Sequence, residues 1–98
     1  MIRVELPYHL RNLAGVTGEV ALQLDGTPTI ASALDALEKA YPMLRGTIRD
    51  HGTLRRRPFI RYFAAGADLS LAEASTALPE SVARGTEPLL IIGSIAGG

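Results

Sequence analysis

The residues best placed to do chemistry in this 98-residue chain are the last three, Ala96-Gly97-Gly98. Two glycines without Cβ atoms make a thin segment open to backbone angles that other residues avoid, so a carboxylate at its end can be threaded into a narrow channel of another protein. A carboxylate is a poor electrophile, because it is anionic and would have to expel oxide. Adenylation by ATP supplies a good leaving group, after which sulfur can attack the acyl carbon and leave a thiocarboxylate or thioester on Gly98. No internal Asp or Glu offers comparable reach. A Gly-Gly ending is also what an ordinary frayed terminus looks like, so its meaning depends on the elements that hold it.

Little else in the chain could carry catalysis. There are no cysteines, which removes disulfides, thiolate metal sites and thiol nucleophiles together. His9 and His51 are far apart and have no His-x-x-His spacing, so no metal site is expected. No Ser/His/Asp set, paired-carboxylate motif or phosphate-binding glycine loop is present. Arg55-Arg56-Arg57 is the one dense charge cluster; it either solvates a loop or docks on an acidic partner surface. Lys39, the only lysine, sits late in a helical pattern where the helix dipole favours it. Ten Lys+Arg balance ten Asp+Glu, which excludes general polyanion binding and gives no reason to expect nucleic acid or membrane as partners. With 47% hydrophobic residues and no long apolar run, the chain reads as a folded, soluble, cytoplasmic protein without a signal peptide.

The elements that would position the last residues follow from periodicity. Ile2, Val4 and Leu6 alternate with Arg3 and Glu5, predicting a strand with one buried face. Val20, Leu22 and Leu24 predict a second strand, antiparallel to the first, and Leu10 and Leu13 a helical turn that Gly15 can end. From Thr29 the spacing of Ile30, Ala33, Leu34, Leu37 and Tyr41 is helical, with Thr29 as cap and Pro42 as stop. Residues 43–50 could add one more helical turn. Phe59 to Ala64 favours a third strand, Ala65 to Asp68 a turn, and Leu78 to Gly85 a short helical turn. Leu89-Leu90-Ile91-Ile92 reads as a central strand covered on both faces, next to the first strand. On that reading Leu90, Ile92 and Phe63 belong to the core, with an exposed apolar patch for a partner as the alternative. The order implies an α+β fold, a mixed sheet packed on one main helix.

Five stretches together resemble the MoaD/ThiS family of ubiquitin-like sulfur carriers: the opening strand Ile2 to Leu6, Leu10-Arg11-Asn12-Leu13-Ala14-Gly15, Leu37-Glu38-Lys39-Ala40-Tyr41-Pro42, Ala83-Arg84-Gly85-Thr86-Glu87, and Ile95-Ala96-Gly97-Gly98. The resemblance implies a β-grasp fold, with four to five strands on one helix, and one domain over residues 1–98 whose end, 93–98, is a flexible tail. It implies that a ubiquitin-activating-like enzyme uses ATP to adenylate Gly98, with Gly97 beside it, and that sulfur is loaded there as a thiocarboxylate. A sulfur-accepting enzyme, either a molybdopterin synthase large subunit or a cysteine synthase-like protein, would then consume it. The carrier would bind no cofactor or metal of its own and would be a co-substrate or small subunit more than an enzyme. Candidate partner-binding residues are Ile95, Ala96, Ile92, Leu90, Phe63, Arg55, Arg56 and Arg57. Gly93-Ser94 stands where many members have consecutive prolines, and Gly85-Thr86-Glu87 where many have Gly-Asp-Glu. The alternative readings are an interaction module with a chemically idle tail, or a covalent protein modifier.

Overall fold

Alternation in the first residues produces β1 (Ile2–Glu5), with Ile2 and Val4 buried and Glu5 exposed. The computed structural model, which describes residues 1–93, pairs it antiparallel with β2 (Val20–Leu22), Ile2 opposite Leu22 and Val4 opposite Val20. Leu24 falls outside β2, half-buried against the core. Between these strands runs α1 (Tyr8–Ala14), ended by Gly15 at φ 73°, the left-handed angle that glycine takes without strain.

The main helix, α2 (Ile30–Ala40), starts at a reciprocal cap. The Thr29 hydroxyl accepts from the Ser32 N–H at 3.0 Å, and the Ser32 hydroxyl accepts from the Thr29 N–H at 2.8 Å. Its buried residues Ile30, Ala33, Leu34 and Leu37 lie on the stripe that the spacing predicts. After it, residues 43–50 do not form a helix. A 3₁₀ turn, Pro42–Leu44, buries Leu44, and the chain then folds back on itself with Arg49 bridged to Arg56.

The remaining strands are β3 (Ile60–Ala64), β4 (Ala67–Asp68) and β5 (Leu89–Gly93), with the short helix α3 (Glu80–Ala83) before the last. The segment expected to be only a turn holds β4: Ala65 and Gly66 take φ values of 51° and 77°, the two positive angles of a tight hairpin. The sheet order is β2-β1-β5-β3-β4, with β1 and β5 parallel and the other pairs antiparallel. The last strand is therefore central and beside the first, as expected.

One expectation is corrected. The continuous apolar run in β5 is not covered on both faces, because the helices pack on one face of the sheet only. Leu89 and Ile91 are buried, whereas Leu90 is half-buried and Ile92 is 44% exposed. Composition hid this because both sets of positions on β5 are apolar.

The free side of β3 is closed by side chains and loop backbone. The Arg56 guanidinium donates to the Ile60 carbonyl at 2.7 Å, and the Ser70 hydroxyl accepts from the Tyr62 N–H at 3.0 Å. The Ile60 N–H reaches the Arg57 carbonyl, and the Leu69 N–H reaches the Tyr62 carbonyl at 2.7 Å. Among the described residues, no helix is long and apolar enough to cross a membrane.

Candidate functional site

Of the residues singled out from sequence, Ile95, Ala96, Gly97 and Gly98 lie outside the described residues. The surface at Gly93, where β5 ends, is well defined. Gly93 pairs with Ile60 of β3, and α1 closes over it. A Cβ at Gly93 would stand 2.6 Å from His9 Cε1 and 3.4 Å from Pro7 Cγ, so the exposed His9 ring lies close over the end of β5 and would have to swing aside for a larger residue.

On the open face of the sheet, Phe63 lies opposite Leu90 and Arg61 opposite Ile92. Phe63, Leu90 and Ile92 thus share a face, forming an apolar strip on the strands that lead to Gly93. A hollow of about 240 Å³ continues the strip between Leu90, Ile92 and the start of α1, where Pro7, Tyr8 and Arg11 line it. The Arg11 guanidinium stands 5.9 Å from the Tyr8 ring centre, a cation–π contact across one helical turn. A second hollow, of about 540 Å³, lies between Gly93, His9, Arg57 and the exposed ring of Phe59.

The strands on either side of β5 each carry an ion pair. Arg3 pairs with Glu19 at 3.0 Å, and Arg61 with Asp68 at 3.4 Å. Hydrogen bonds from the Ser70 hydroxyl and N–H hold the Asp68 carboxyl below its usual pKa, with a smaller contribution from Arg61. Among the described residues, no group of three or more His, Cys, Asp or Glu could hold a metal ion.

The three arginines do not form one patch. Arg56 turns inward and donates to the carbonyls of Ser70, Ile60 and Arg57, whereas Arg55 and Arg57 are exposed. Arg55 and Arg57 line different hollows. Tyr8, His9, Arg11 and Phe59 were missed by reading motifs. Phe59 shares the strand phase of Phe63, and Tyr8 and Arg11 have the i, i+3 spacing of facing helical residues, so both signals were present. What could not be read was that α1 abuts the end of β5.

Taken together, the described surface can bind and present, and it offers no assembled acid–base pair.

Comparison with known proteins agrees with this geometry. SAMP1 from Haloferax volcanii superposes with a TM-score of 0.75 at 25% identity, covering 98% of this chain and 97% of that one. A second structure, of H. volcanii small archaeal modifier protein 1, gives 0.71 at 27% identity, with 95% of each chain covered. A chain of the Amycolatopsis orientalis BexX/CysO complex gives 0.74 over the whole of both chains; at 19% identity this speaks for the fold alone. No protein-family model and no curated protein matches the sequence. With a helix-backed mixed sheet in the order β2-β1-β5-β3-β4 and these neighbours along its full length, the chain is a ubiquitin-like protein with the MoaD/ThiS-like β-grasp fold.

Proposed function

We propose that this protein is a cytoplasmic sulfur carrier whose working group is the carboxylate of Gly98. A ubiquitin-activating-like enzyme would let that carboxylate attack the α-phosphorus of ATP, expelling pyrophosphate. A sulfide-level nucleophile then attacks the acyl carbon and AMP leaves with one former carboxylate oxygen, so a C–S bond replaces a C–O bond without change of oxidation state. The thiocarboxylate would pass its sulfur to an acceptor enzyme in molybdopterin or cysteine biosynthesis. The observation that carries this reading is the placement of Gly93. It ends the central strand, beside an uncovered strip of Phe63, Leu90 and Ile92 that a partner can grip while Gly97 and Gly98 enter its channel.

The test is to incubate the chain with an activating enzyme from the same genome, MgATP and sulfide, and weigh it intact. A gain equal to sulfur replacing oxygen is expected, and it should vanish when Gly97 and Gly98 are deleted. No gain with an activating enzyme that demonstrably turns over ATP would end this reading. The neighbour called a small archaeal modifier protein favours a second one, covalent attachment through Gly98, which would show instead as an isopeptide adduct on a target lysine.

A further inference from the structure

On the helix side of the sheet, away from the open face, a groove of about 740 Å³ runs between α2, the turn around Leu54 and the loop around Leu71. Three arginines line it, Arg49, Arg55 and Arg56, and no Asp or Glu does. Arg49 and Arg56 face each other across an antiparallel bridge, where like charges repel. Arg49 is held from behind: its Nε and Nη2 donate to Glu38, and Nη2 also to Asp35. Its side chain is only 5% exposed, yet Nη1 has no acceptor among the described residues and is not sealed from solvent. Arg56 spends Nε and Nη1 on backbone carbonyls, which leaves Nη2 without a partner. The hydroxyl of the buried Tyr62, which also lines the groove, has no partner among the described residues. Burial pushes its pKa up, so it stays a donor, and the charges of both Arg49 and Arg56 are felt there. Three residues lining one groove therefore each keep a donor that has no acceptor among the described residues.

The rim is apolar. Leu71 is 89% exposed and Leu54 is 51% exposed, and Leu54 is held at φ 61°, an angle unusual for a branched residue. A small anion would occupy the donors and leave both leucines in water; a peptide would cover them. We propose that this groove recognises an acidic peptide segment of a partner protein. One carboxylate is taken by the free nitrogens of Arg49 and Arg56 and the Tyr62 hydroxyl, while apolar neighbours lie against Ile30, Leu34, Leu54 and Leu71. The site is independent of the chemistry at Gly98.

The probe is a fluorescein-labelled hexapeptide of alternating glutamate and leucine, followed by anisotropy on the full chain, with amide NMR shifts to locate it. Saturable binding that shifts amides in residues 30–34, 53–56 and 70–74 is expected. The glutamine counterpart should bind about tenfold more weakly, since charge-assisted hydrogen bonds are lost. Tyr62→Phe, which removes one donor and no partnered group, should weaken binding several-fold and leave the thermal midpoint in place; Arg55→Ala should lessen the salt dependence. Equal binding of the glutamine peptide would overturn the proposal, as would shifts centred on Leu90 and Ile92 or unchanged affinity in Tyr62→Phe. Displacement by citrate at the peptide's own concentration would reduce the groove to a simple anion pocket and refute the peptide assignment.

Discussion

At Gly93, where β5 meets α1, Gly93→Ala would bring a methyl group to His9 Cε1, the far end of an exposed side chain that can swing aside. Stability should therefore change by no more than about 0.5 kcal/mol, as surface substitutions usually do. A large fall in thermal midpoint, restored by His9→Ala in the same chain, would show instead that the ring is pinned. Arg49 is far more sensitive. Burial opposes its charge, but the hydrogen bonds and charges of Glu38 and Asp35 outweigh burial and raise its pKa. Arg49→Met would strand the nearly buried Glu38 carboxylate and should cost about 3–5 kcal/mol in urea denaturation. Neither partnership could be foreseen from spacing, since Glu38 and Arg49 meet only after the chain has passed Pro42 and doubled back. The nearness of His9 to Gly93 was equally hidden, because the ring comes from the far end of the sequence.

Among the elements, α2 was the most readable, because cap, stripe and stop all agreed. Thr29→Ala removes the hydroxyl half of the reciprocal cap, leaving the backbone N–H of residue 29 on the Ser32 hydroxyl, and should destabilise by about 1 kcal/mol, read as a shift in denaturation midpoint at constant slope. β5 was legible in position but not in its exposure, since Leu90 and Ile92 match Leu89 and Ile91 in polarity and only the packing of the helices distinguishes the faces. Ile92→Ser should therefore change stability by no more than about 0.5 kcal/mol, as surface substitutions usually do. Under the proposed function it should raise the KM for the activating enzyme while sparing kcat. β4 was missed because two residues are too few to show a period. The apolar strip required strand register, which sequence periodicity does not supply.

For the molecule as a whole, two exposed turns tie stability to pH. The Asp50 carboxyl is held below its usual range by the N–H groups of Thr53 and Gly52, and the Asp68 carboxyl by Ser70. A carboxyl with a lowered folded pKa stabilises fully above the unfolded value, here 3.8, and the stabilisation is lost as pH falls through the lower folded one. Thermal midpoints should thus fall as the medium is acidified from about pH 5 to below 3.8, and Asp50→Asn with Asp68→Asn should flatten that fall. The closure of β3 by Arg56, Ser70 and neighbouring loop backbone reaches further. Strand-to-strand polymerisation needs vacant ladder positions, and along the part of β3 that β4 leaves uncovered they are already taken. Among the described residues the sheet's two edge strands are β2, three residues long, and β4, two, so a carrier kept in transit between enzymes, as the proposed function has it, would offer little foothold for fibre growth.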